Sequence, residues 1–264
     1  MSSNCCVVAL LHPGAMGARI GAELVRAGHL VRWLDAGRSS ATSQRAKAAG
    51  LVAAPDVAAL LEGAGMVVSV CPPQAALEVA RLVAGVGFSG TYVDANPLAL
   101  TTLTEIAASV EAGGATLVDG GIVGPPPGEG RRTHLYLAGD QAQAETVAGL
   151  FTGTDVTPIV VGSDLGAASA AKQAYALFNK GRMVLAAVAA DLAESQGVLD
   201  VLAAESERPG ADILAELSAV RAGLAEVGWR WGPEFAEIAA TLAASGADPA
   251  LARACEQLLL RSHA

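Results

Sequence analysis

Seven short apolar runs alternate with helical stretches over the first 162 residues, and this rhythm restricts the chain to a sheet covered by helices. The runs are Cys6–Leu11, Leu30–Leu34, Met66–Val70, Thr91–Asp94, Thr116–Asp119, His134–Ala138 and Thr157–Val161. Met66–Val70 is apolar almost throughout, as a parallel strand buried on both faces must be. Met16–Ala27 reads as the first helix, with Gly28 placed to end it, and Ala99–Ala112 as another after Pro97. Past Gly162 the strand signals stop. Leu165–Gln196 runs without proline up to Gly197, with Ser163 or Asp164 as the expected N-cap. At about 1.5 Å per residue this helix would be about 48 Å long, too long for one domain to cover. Helices over Val198–Ser206, Ala211–Val227, Pro233–Ala244 and Pro249–Arg261 follow. The expected architecture is a doubly wound, mainly parallel α/β domain over 1–162. A smaller all-helical domain over 163–264 follows, joined by the long helix and serving substrate binding or dimerisation.

Hydrophobic residues make up 52% of the chain and charged residues 16%, which excludes disorder. Aromatics are only 4%, so Ala, Val and Leu must build the core. A net charge of −9 argues against nucleic acid or an anionic membrane as partner. Cys5, Cys6, Cys71 and Cys255 show no CxxC or Cys/His spacing, so free thiols and no metal site are expected. The N-terminus has no basic segment, and its apolar run ends at His12-Pro13, too early for a signal peptide or a span. A cytoplasmic protein acting on a small molecule is the expectation.

The first strand runs into the turn His12-Pro13-Gly14-Ala15-Met16-Gly17 and then a helix. A dinucleotide-binding Rossmann turn needs glycine where backbone meets the pyrophosphate, a place for Gly14, and where helix meets strand, a place for Gly17. The first glycine of that pattern is replaced by His12, which either touches the cofactor or shapes the turn with Pro13. Asp35 lies 21 residues after Gly14, the position of a carboxylate that holds a ribose diol in NAD. Arg38, Ser39 and Ser40 follow in the same turn and suit the 2′-phosphate of NADP. The two signals conflict, and NADP is preferred over NAD. Two further strand ends, Cys71-Pro72 and Asp94-Ala-Asn96, should face the same ligand, with Asn96 placed near the nicotinamide ribose or amide.

These residues resemble the β-hydroxyacid dehydrogenase and 6-phosphogluconate dehydrogenase superfamily, which includes imine reductases. Gly14-Ala-Met-Gly17 is similar to its GxMG turn, and Val118-Asp119-Gly120-Gly121-Ile122-Val123-Gly-Pro125 to its substrate-binding segment. Gly166-Ala-Ala-Ser-Ala-Ala-Lys172 is similar to the stretch that carries its catalytic lysine. The resemblance implies hydride transfer between a nicotinamide cofactor and a small carbonyl or hydroxy compound, with Lys172 as general acid/base. It also implies a homodimer through the helical domain, with Trp231 as a candidate for closing the partner's site. The family's asparagine after the lysine is absent. On a wheel of about 100° per residue Asn179 falls about 20° from Lys172 and Tyr175 about 60°, so a Lys172/Tyr175/Asn179 stripe is possible.

The serine of the family's substrate segment is replaced by Val123, while Gly120 and Gly121 keep backbone N–H groups for a ligand. Arg131, beyond the proline-rich loop, supplies a cation for a carboxylate or phosphate, or is a surface charge. Three functions remain: a C=O/CH–OH dehydrogenase or reductase, an imine reductase with Tyr175 as proton donor, and a non-catalytic dinucleotide sensor.

Overall fold

The computed structural model describes residues 5–206 and 230–261, so the helix expected over Ala211–Val227 lies outside the described residues. Eight strands form one sheet in the order β3-β2-β1-β4-β5-β6-β7-β8. They are β1 (Val7–Leu11), β2 (Leu30–Leu34), β3 (Val52–Ala54), β4 (Met66–Ser69), β5 (Thr91–Asp94), β6 (Thr116–Val123), β7 (Thr133–Gly139) and β8 (Val156–Gly162). All neighbours pair in parallel except β6 and β7, which form an antiparallel hairpin. Chain order reverses between β1 and β4, the switch point outside which such sheets bind ligands.

Strand parity builds the two layers. Val8, Leu10, Met66, Val68, Val93 and Val118 turn to one face and pack with Ile20 and Leu24 of α1 (Ala15–Arg26). Ala9, Leu11, Val67, Tyr92 and Leu117 turn to the other, against α4 (Ala76–Ala84) and α5 (Leu100–Ala112). Burial on both faces is what the unbroken apolar runs required. Gly28 ends α1 as expected: its φ is 94°, and His29 N–H reaches back to Leu24 C=O at 3.0 Å. The remaining helices here are α2 (Ser40–Ala48), α3 (Val57–Leu61) and α6 (Gln141–Gly149).

The long helix, α7, spans Ala167–Ser195, about 44 Å at about 1.5 Å per residue. The chain divides into compact units within it, 1–172 and 173–264, rather than at the expected 162/163 boundary. The cause is the cap. Neither Ser163 nor Asp164 caps α7 through its side chain; Asp119 does so from β6. Its carboxylate accepts from Ser169 N–H at 3.0 Å and Ser169 hydroxyl at 2.6 Å, with further N–H donors from Ala168 and Gly166. The first turns of α7 therefore belong to the sheet domain.

The second unit contains the rest of α7 with α8 (Leu199–Ser206), α9 (Gly232–Ala244) and α10 (Ala250–Arg261). Ala176 and Val184 of α7 form its core with Phe235, Ile238, Ala252, Cys255 and Leu259. Lys180 pairs with Glu234, both largely buried, and lies 5.2 Å from the centre of a Trp231 ring. Among the described residues no helix is long and apolar enough to cross a membrane.

Candidate functional site

The turn after β1 carries the strongest signal, and its two glycines differ in kind. A Cβ on Gly17 would stand 2.1 Å from the carbonyl oxygen of His12, so only glycine lets α1 start this close to the strand end. A Cβ on Gly14 would meet nothing within 4 Å, and its φ of −68° is open to any residue. Space for a ligand, rather than conformation, explains that glycine. Helix α1 begins at Ala15 with no side-chain cap and no acid in its first turn. Its leading N–H groups and the positive end of its dipole are thus available to an anion. Pro13 is buried and Met16 packs on the core, so both hold the turn from behind. These features fit a dinucleotide pyrophosphate, as the sequence pattern required.

His12 closes the inner end of a cleft of about 530 Å³, together with Arg38, Ala75, Glu78, Val79, Arg81 and Leu82. Burial, assisted by the nearby Arg38 guanidinium, pushes the His12 pKa down to about 4, so the imidazole is neutral at pH 7. Asp35 is exposed and accepts a hydrogen bond from the Ser43 hydroxyl of α2 at 2.9 Å. The Ser39 hydroxyl caps α2 by accepting from Thr42 N–H, while Ser40 is that helix's exposed first residue. Of the residues expected to bind the adenosine half, Arg38 lines the cleft directly. Glu78 and Arg81 were not singled out in the sequence, although they lie on the exposed side of an amphipathic helix opening at Pro72-Pro73.

Asn96 corrects the expectation of a direct cofactor contact. It is only 2% exposed, and its side chain is consumed inside the protein. Its Oδ1 accepts from Cys71 N–H at 2.8 Å, and its Nδ2 donates to Asp94 Oδ1 at 2.8 Å and to the Ser69 hydroxyl. Asn96 is thus the brace that fixes the turn after β4, at Cys71 and Pro72, to the end of β5. Burial pushes the Cys71 thiol up to about 12, which leaves it protonated and unreactive.

Burial likewise raises Asp94 to about 7, and its Oδ2 has no hydrogen-bond partner. A carboxyl held above its unfolded value near 3.8 stabilises the fold fully below that pH, and this contribution is lost as pH rises through about 7. Asp94→Asn should therefore flatten the decline in melting temperature between pH 4 and 7, and melt at least a few degrees above the parent at pH 8. Parallel pH curves for the two proteins would contradict the assignment.

The second constellation lies where β6 runs past the end of β5. Asp119 is committed to capping α7 and is fully buried, which corrects its reading as a substrate contact. Gly120–Val123 continue β6 in register with β7, so the strand does not end at Asp119, and both glycines sit where packing is tight. A Cβ on Gly120 would lie 3.1 Å from the Asp94 carbonyl oxygen. One on Gly121 would lie 2.6 Å from the Ala168 carbonyl oxygen and 2.9 Å from Lys172 Cβ. Gly121 is what lets α7 settle on the strand and place the half-buried Lys172 stem there. Val123, on the same face of β6 as Gly121, is 7% exposed, whereas Ile122 turns to the opposite face and packs in the core with Val118. Of the two roles open to Arg131, the structure shows the surface charge. Its guanidinium lies 3.5 Å from Glu129, which is held in turn by Arg19 of α1 at 3.0 Å, so it completes a surface pairing of its own loop. Tyr175 (48% exposed) and Asn179 stand further along α7 in the second unit, as does Trp231, which packs in the helical core. Among the described residues no cluster of His, Cys, Asp and Glu could hold a metal.

Comparison with known proteins agrees with this anatomy. Residues 8–162 match the family model described as the NAD binding domain of 6-phosphogluconate dehydrogenase, and residues 193–261 match a domain of unknown function. A search of curated proteins gave no match. Among solved structures, 3-hydroxyisobutyrate dehydrogenase of Mycobacterium tuberculosis superposes with a TM-score of 0.76 at 19% identity, over 97% of this chain and 93% of that one. An imine reductase from Pseudomonas sp. gives 0.60 at 18%, over 99% and 100%. A reductive aminase from Aspergillus terreus, in complex with NADPH and ethyl levulinate, gives 0.62 at 17%, over 98% and 93%.

Proposed function

The chain belongs to the family of the NAD binding domain of 6-phosphogluconate dehydrogenase, and from that premise we propose an oxidoreductase that reduces a small carbonyl compound, or oxidises the matching alcohol, with NADP as preferred cofactor. The observation that carries this reading is Lys172 seated over Gly121, at the same carboxyl-terminal edge of the sheet as the Gly14 turn. Gly14, Ala15 and the first N–H groups of α1 would hold the pyrophosphate, with Arg38 at the adenosine end. When bound, the nicotinamide supplies or accepts the hydride. Negative charge then grows on the substrate oxygen, and the Lys172 ammonium stabilises it and donates the proton; in the oxidative direction the neutral amine takes that proton back. The Asp119–Ser169 cap fixes the helix on which Lys172 stands, so the amine is oriented before substrate arrives.

NADP is supported by the uncommitted Arg38 guanidinium in the cleft and by the tie between the Asp35 carboxylate and Ser43. Imine reduction with Tyr175 as proton donor is the second reading, favoured by the apolar Val123 where a carboxylate would want a hydroxyl. Deuterated nicotinamide cofactor offered with small keto acids, aldehydes and cyclic imines separates these. Label should appear on the carbinol carbon of a keto-acid or aldehyde product. Label only in amines would favour the second reading, and cofactor binding without label transfer anywhere would mean a sensor.

A cytoplasmic homodimer belongs to the same proposal. On α7, Phe178, Leu185 and Leu192 recur every seventh residue and are 73%, 56% and 65% exposed, a stripe suited to a second copy of the helix. Sedimentation should give a dimer, and Leu185→Glu should shift it to monomer; an unchanged mass for the variant would refute this interface.

A further inference from the structure

The cleft beside His12 contains two guanidinium groups, and the fold brings them from different layers of sequence. Arg38 follows β2, whereas Arg81 stands on the last turn of α4, after β4. Among the described residues neither guanidinium group has a hydrogen-bond or ion-pair partner. The same cleft is lined by Ala75, by Leu82, which is 44% exposed, and by Val79, which is buried in the core. Glu78 is the single acid lining this space. An exposed leucine flanked by two uncommitted cations is poor surface design unless a flat apolar group and an anion occupy it together. A phosphorylated adenosine has both.

We propose that Arg81 is a specificity-determining residue for the cofactor: with Arg38 it forms a two-sided clamp on the 2′-phosphate, while Leu82 carries the adenine. This rests on the NADP reading and deepens it, because Arg38 alone gives one cation whereas the clamp grips the phosphate from both sides of the cleft. Two guanidinium groups can chelate a dianionic phosphate through several charge-assisted hydrogen bonds. The exposed Asp35 carboxylate accepts a hydrogen bond from Ser43 of α2. Glu78 works against the clamp electrostatically, so its removal should act in the opposite direction to removal of Arg81. A cation near a helix C-terminus also stabilises that helix, and this purely structural role gives the same stability effect but no preference between nucleotides.

Calorimetric titration of the full chain with NADPH and NADH, and with adenosine 2′,5′-bisphosphate against AMP, tests the assignment without any turnover. Arg81→Ala should weaken NADPH and the bisphosphate by at least about 10-fold at low salt. NADH and AMP should stay within about 2-fold, and Arg81→Lys should recover part of the loss. Glu78→Gln should tighten NADPH and leave NADH alone. Equal losses for both nucleotides, or none, with Arg81→Ala would overturn the clamp. If Arg38→Ala still discriminates in that case, the NADP reading survives and only the role of Arg81 falls. If the parent favours NADH and neither arginine matters, both fall. Thermal melts of each variant show that the fold is intact.

Discussion

Lys172→Ala is expected to lower the turnover number by about 10²–10⁴-fold while NADPH binding stays within about 3-fold of the parent. The reason is where the side chain starts. Its Cβ sits against Gly121 of β6, inside the sheet domain, and the helix that carries it is capped by Asp119 from the strand below. Truncation there leaves the cap, the helix and the pyrophosphate turn in place, and removes the side chain beyond Cβ, amine included. Fluorescence titration for binding and single-turnover rates for chemistry check the two halves separately. Equal rates for variant and parent would place the proton donor elsewhere, with Tyr175 the next candidate.

The same methyl group added at two points of one turn should have opposite consequences. At Gly17 it meets the His12 carbonyl oxygen at 2.1 Å, and backbone cannot yield as a flexible side chain would. Gly17→Ala should cost about 3 kcal/mol or more, a fall of roughly 6–12 °C in melting temperature for a chain of this size. At Gly14 the methyl enters open space, so Gly14→Ala should leave stability within about 1 kcal/mol. It should nonetheless weaken NADPH by at least about 10-fold, because the methyl takes the place where the pyrophosphate must touch the backbone. Melting curves and calorimetry on the pair decide the matter; a Gly14→Ala variant with unchanged affinity would move the nucleotide away from this turn.

The central strands were legible because burial on both faces favours apolar residues: β1 and β4 are apolar almost throughout, β2 apart from Arg32, and β5 at Tyr92-Val93. Strand β3 had no such signature: three residues long, at the sheet edge, with Val52 and Ala53 exposed. The extension of β6 was hidden for another reason. Gly120-Gly121 has no strand propensity of its own and is held by pairing with β7, a partner found only in three dimensions. The glycine turn, Arg38 and Lys172 were singled out by residue type and order along the chain. The roles of Asp119 and Asn96 could not, since each is defined by hydrogen bonds to residues 50 and 25 positions away. Local sequence names a helix cap next to the helix, and here the fold supplies it from a neighbouring strand. Arg81 escaped notice for a related reason: a helix-end arginine acquires meaning only when Arg38 stands across the same cleft.

Whether the amine at position 172 and the bound nucleotide share one site can be seen by chemical footprinting. Lysine acylation, quantified by mass spectrometry with and without saturating NADPH and a substrate analogue, has an internal control in exposed Lys47 on α2. Lys172 should be modified several-fold more slowly in the ternary mixture while Lys47 reacts at an unchanged rate. Equal acylation of Lys172 in the presence and absence of both ligands would contradict the proposed site.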